Sequence, residues 1–182
     1  MQNSKLQFKI QNFISPFLII GIAVALRLIP HPPNFAPIAA MALFGGAYLD
    51  KKYALIVPIL AMIISDFFIG FHNTILFVYG SFLLTGVIGV WLRKRRNTKT
   101  IFAAALASSL LFFIITNFGV WLTGNLYPKT FTGLLECYIA AIPFFRNTIV
   151  GDLFYTGVFF FGYEAVLRFV KSYGQNLHKN RG

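Results

Sequence analysis

Apolar residues occupy six nearly unbroken blocks, at about 13–29, 35–49, 53–71, 75–92, 101–122 and 149–169, separated by short polar stretches. A helix needs roughly 17 to 25 such residues to cross a hydrocarbon layer. The pattern therefore predicts an all-α integral membrane protein, a bundle of six transmembrane helices forming a single domain over residues 1–182. The second block is short for a crossing and also fits a thinned, irregular or re-entrant segment. Residues 123–148 form the longest interval, mixing Gly124, Pro128 and Gly133 with an apolar patch that ends Ile139-Ala140-Ala141-Ile142-Pro143-Phe144-Phe145. The expectation is a loop folded over the outer surface, a candidate lid.

Charge placement decides the direction of the crossings. With six spans and a cytoplasmic N-terminus, the inner face receives Lys5, Lys9, Lys51, Lys52, Arg93, Lys94, Arg95, Arg96, Lys99, Arg168, Lys171, Lys179 and Arg181. Only Arg27, Lys129 and Arg146 fall outside, as the positive-inside rule requires. A re-entrant second block would put the Arg93–Arg96 cluster outside, so six crossings with both termini cytoplasmic is the expected topology. Lys5 and Lys9 precede a run through Ala23-Val24-Ala25 that imitates a signal-peptide cleavage site. The apolar run continues to Ile29, and the segment is expected to be retained as a span.

Composition agrees: 57% of residues are hydrophobic, 22 are Phe and only 12% are charged, about half the charged fraction of ordinary soluble domains. The net charge of +11 reads as cytoplasmic retention of Lys and Arg rather than as a nucleic-acid footprint. Cys137 is the only cysteine, which excludes an internal disulfide, and it reads as a small apolar filler.

Ionisable groups inside spans are costly and so become functional candidates. Asp66 lies late in the third span and Asp152 early in the sixth, at one level in the outer half, with Arg27 and Arg146 near enough to neutralise them. Helical spacing groups Asp66, Gly70 and Asn73 on one face, Asn117 and Trp121 on another, and Thr148, Asp152, Tyr155 and Phe159 on a third. His31, Asn34 and His72 add polar groups from the outer loops. The candidate substrate-binding residues are Arg27, His31, Asn34, Asp66, Asn117, Trp121, Arg146, Asn147, Asp152 and Tyr155. Arg27 and Arg146 would hold an anionic group, Asp66 and Asp152 a cationic or hydrogen-bonding one, and Trp121 or Tyr127 would stack on a ring. The plain alternative is that Asp66 or Asp152 pairs with Arg27 or Arg146 only to fix the packing. Glu164 and Arg168, four residues apart, read as an ordinary interfacial pair.

Small residues recur four apart at Gly21 and Ala25 and at Ala36 and Ala40, followed by Gly45-Gly46-Ala47, so helices can approach closely there. Internal packing explains such pairs; contact with another membrane subunit is the sharper reading. No phosphate-binding loop, H-E-x-x-H or G-x-S-x-G motif is present, and no cofactor or metal ligand set is apparent.

The strings Arg27-Leu28-Ile29-Pro30-His31-Pro32-Pro33-Asn34-Phe35-Ala36-Pro37-Ile38-Ala39-Ala40, Asn117-Phe118-Gly119-Val120-Trp121 and Ala141-Ile142-Pro143-Phe144-Phe145-Arg146-Asn147-Thr148 with Gly151-Asp152 resemble a family of bacterial membrane transport proteins without a settled substrate. More distantly, the chain is similar to the S components of energy-coupling factor transporters. That resemblance implies six helices, capture of a vitamin or micronutrient near the outer face, and a membrane coupling subunit with cytoplasmic ATPases as partners. The expected function is solute capture in a bacterial inner membrane without catalysis. The alternatives are an intramembrane enzyme using Asp66 and Asp152 as acid and base, a solitary carrier, and a structural subunit.

Overall fold

A computed structural model describes residues 16–30, 32–49 and 51–179. Among the described residues the structure is all helical, with six helices in chain order: α1 (Pro16–Leu28), α2 (Ile38–Tyr48), α3 (Lys51–Ile69), α4 (Ile75–Leu92), α5 (Thr98–Thr123) and α6 (Phe131–Lys179). Three are long and apolar enough to cross a membrane: α4, α5 and the Phe131–Phe169 part of α6. Lys5, Lys9, His31 and Arg181 lie outside the described residues.

The helix ends follow from local chemistry. A capping box starts α5: the Asn97 side chain accepts from Thr100 N at 2.9 Å, and Thr100 Oγ1 accepts from Asn97 N at 3.2 Å. At the end of α3, Gly70 takes φ +104°, a conformation costly for any residue with a Cβ, while its N–H still donates to Asp66 O. Asn73 consequently lies beyond the helix, and the expected Asp66–Gly70–Asn73 face stops at Ile69. Arg93 closes α2 from across the bundle, donating from Nε to Gly46 O at 2.8 Å and from Nη2 to Leu49 O. One member of the basic cluster thus donates to carbonyls at the C-terminal end of α2 that the helix itself leaves unpaired.

The 11-residue α2 is the axle of the bundle, packed against α3, α4, α5 and α6. Every residue from Ile38 to Ala47 is buried. Small residues make this possible: a Cβ added to Gly46 would stand 2.5 Å from Gly86 O and 2.6 Å from Gly89 Cα. Backbones of α2 and α4 therefore touch, as small-residue interfaces in membranes permit. Ala40, 1% exposed, belongs to this internal packing; it is not available to a partner. Ala36 is half-buried and turns towards a cavity. Gly21 and Ala25 on α1 are exposed.

The outward faces are apolar. Leu106, Leu110, Ile114, Phe118 and Leu122 form one exposed ladder on α5, and Phe67 and Leu76 are 76% and 81% exposed. The polar side chains Ser65, Asp66, Ser81, Thr85, Ser109, Thr116, Thr148 and Asp152 are buried instead. A surface this apolar around a partly polar interior fits a hydrocarbon solvent.

Residues 131–148 are helical, which corrects the expectation of a long outer loop. Tyr138 donates to Ile114 O at 2.7 Å, Phe145 stacks on Phe113 at 4.4 Å, and Phe161 meets Phe102 at 5.9 Å. α6 thus runs antiparallel along the whole of α5, with Pro143 inside it. The connection shrinks to residues 124–130, tied by Trp121 Nε1 donating to Pro128 O at 2.9 Å and by Lys129 Nζ donating to Trp121 O and Gly124 O. Pro143 and Gly133 signalled a loop; the tertiary pairing with α5 overrides them.

Candidate functional site

A cavity of about 490 Å³ opens among the Arg27 end of α1, the residues leading into α2, the ends of α3 and α4, and the middle of α5 and α6. Its walls include Arg27, Asn34, His72, Thr148 and Asp152 among apolar side chains such as Ile38, Met62, Val78, Phe82 and Phe112. A second hollow of about 240 Å³ shares Asn34, His72, Val78, Phe112 and Thr148 with it and adds Thr116 and Asn117. The two adjoin across these shared residues as a larger and a smaller lobe. At the opposite end, Leu43, Phe44, Leu92, Ile101 and Phe160 pack into an apolar plug, with Tyr48 and Tyr163 against it.

Two carboxylates are buried near the cavity, and their surroundings differ. Asp66, fully buried, lies 2.7 Å from Arg27 Nη1 through Oδ1, and Oδ2 accepts from Tyr79 Oη at 2.7 Å. Arg27 also donates to Ser65 Oγ and, at 3.4 Å, to Met62 O. Its guanidinium is therefore drawn onto α3, and the Arg27–Asp66 pair cancels internally. Asp152, 4% exposed, lines the cavity and accepts from Ser109 Oγ at 2.7 Å through Oδ2. Among the described residues no cation pairs with it. Ser109 is the twelfth residue of the 26 in α5, so Asp152 marks a floor near mid-bundle. One turn further along α6, the buried Thr156 hydroxyl has no hydrogen-bond partner.

The remaining candidates divide into wall and frame. Asn34, at φ 61°, lines both lobes, as an Asn in the left-handed region readily does. Asn117 lines the smaller lobe and donates back to Phe113 O at 2.7 Å. Asn147 donates to Pro33 O at 3.1 Å, and Tyr155 meets the Phe35 ring at 5.5 Å. A Cβ on Gly151 would come within 3.2 Å of Phe35 Cα. These contacts seat the segment before α2 onto α6, so Asn147, Gly151 and Tyr155 hold the cavity's rim. Trp121 lies at the α5–α6 connection, away from both lobes, and Arg146 is exposed and lines neither. Tyr79, Ser65 and Ser109 complete the site without having been singled out from sequence; each looks like an ordinary small or aromatic helix residue until its cross-helix partner is known.

The strings singled out in the sequence meet here: the Arg27–Ala40 string packs on the end of the Ala141–Thr148 string and on Gly151-Asp152 to form one wall. A family model covers residues 7–175, from before α1 into the last turns of α6. The chain belongs to DUF6580, a family of unknown function. No curated protein and no solved structure matches it. The DUF6580 chain has, among the described residues, no group of three His, Cys, Asp or Glu side chains able to hold a metal ion.

Proposed function

We propose that this DUF6580 chain captures a small solute in a bacterial inner membrane, crossing six times with both termini cytoplasmic. The observation that carries the reading is the two-lobed cavity closed at the plugged end, with the buried Asp152 carboxylate facing it. A volume of about 490 Å³ lies in the range of small-molecule sites. An acid–base pair of Asp66 with Asp152 is the less favoured reading, because Asp66 is held by Arg27 and Tyr79.

In this reading the solute enters from the outer side between the Asn34 rim and His72, and Asp152 with Ser109 fixes its polar group. Inward release requires the aromatic plug to part. The chain carries no nucleotide-binding motif, so energy comes from a partner or a gradient. The S-component arrangement supplies both parts of this picture: solute capture by the six-helix chain and force from a coupling subunit with cytoplasmic ATPases. Gly21 and Ala25 favour it, because they lie exposed on a helix that packs chiefly on α3, and a Cβ on Gly21 would meet nothing within 4 Å.

Affinity purification from native membranes tests the arrangement. A coupling subunit and ATPases should come down with the wild type and be depleted with Gly21→Leu at unchanged melting temperature. A chain that purifies alone and transports unaided in proteoliposomes would replace the S-component reading with a solitary carrier.

A further inference from the structure

We infer that the solute is an organic cation, an ammonium or amidinium on a small apolar body, docked on Asp152; this rests on the capture reading above. The charges around the cavity point that way. Among the described residues, Arg27 alone of the Lys and Arg side chains lines its walls, and its charge is answered by Asp66 at 2.7 Å. His72 sits exposed at the rim with Nδ1 engaged 2.9 Å from Thr74 Oγ1. Arg146, the other cation once expected to grip an anion, lines neither lobe.

What remains is Asp152. One carboxylate oxygen takes the Ser109 hydroxyl at 2.7 Å; among the described residues the other has no donor. A carboxyl group removed from water either keeps a proton or finds a counter-charge, and here a cationic guest in the cavity is placed to supply the second. An anionic guest would face that carboxylate unscreened. Beside Asp152 the wall is aromatic and aliphatic. Phe82 and Phe112, stacked on each other at 5.3 Å, line the same cavity as Asp152 and give an apolar body a surface to pack against. The chemistry of the wall therefore matches a molecule with one positive end and one greasy end.

Three probes of one shape and different charge test this on the purified full-length protein: 2-phenylethylammonium, 2-phenylethanol and phenylacetate, followed by thermal shift and tryptophan fluorescence. The cation should bind at least about tenfold more tightly than the alcohol, with phenylacetate weakest. Asp152→Asn should remove that preference while the variant unfolds at a temperature close to the wild type's, and Ser109→Ala should reduce it in part. Equal binding of all three, a preference for phenylacetate, or a cation preference that survives in Asp152→Asn would each overturn the assignment while leaving solute capture standing. Absence of binding by any probe, joined to a native mass spectrum free of retained solute, would remove both.

Discussion

Asp66 and Asp152 are both buried aspartates on helices, yet their neighbours give them different work. Asp66 completes a set with Arg27, Tyr79 and Ser65. Replacing it by Asn leaves the half-buried Arg27 charge without its partner; removal of one member of a fully buried pair costs about 3 kcal/mol or more, and solvent reaching Arg27 brings this to about 2 kcal/mol. Chemical unfolding in detergent should therefore show Asp66→Asn strongly destabilised and Asp152→Asn within about 1 kcal/mol of the wild type, since Asp152 loses only its contact with Ser109. Equal destabilisation by both would mean that Asp152 is a packing residue too. The sequence marked both residues because a carboxylate inside an apolar run is conspicuous. It could not divide their roles, because Tyr79 and Ser109 come from other helices, and a lone hydroxyl in a span carries no sign of what it faces.

Among the helices, α2 is the one whose role was hardest to read. Its length of 11 residues, about 17 Å of helix, falls short of the roughly 30 Å hydrocarbon core. Burial on all sides explains why it needs no lipid-matched length, and Gly46, Gly86 and Gly89 let α4 come against it. Gly46→Ala should cost about 2 kcal/mol or more, because the new methyl overlaps backbone atoms that cannot yield. Gly80→Ala, where a Cβ meets nothing within 4 Å, should instead stabilise by about 0.5 to 1 kcal/mol through helix propensity. Melting temperatures of the two variants check the pair. The extents of α3, α4 and α5 were legible in hydropathy alone. The first eighteen residues of α6 were not: Gly133 and Pro143 are breakers by local rule, and the packing of Tyr138 and Phe145 on α5 that outweighs them is invisible to a window along the chain.

The whole molecule is a bundle with an apolar exterior, one plugged end and one hollowed end. Its direction in the membrane is a matter for labelling. With Cys137→Ser as background, Lys129→Cys should react with a membrane-impermeant maleimide in intact cells, and Lys51→Cys only after permeabilisation; Lys51→Cys reacting from outside would mean that α2 turns back. Gly21 and Ala25 face outward, whereas Ala40, in a pair of the same spacing, is sealed inside, and spacing alone cannot tell the two apart. The meeting of the Arg27–Ala40 string with Ala141–Thr148 and Gly151-Asp152 is likewise a property of the assembled bundle, in which Asn147 and Gly151 carry the rim that Asn34 completes.

Native mass spectrometry of the protein released gently from its membrane bears most directly on the role given to the cavity. The wild type should carry a small molecule that stays with the folded chain and leaves on activation, and Asp152→Asn, equally folded, should carry none. Wild type and variant that both fly empty, or that both retain the same adduct in the same proportion, would contradict the account.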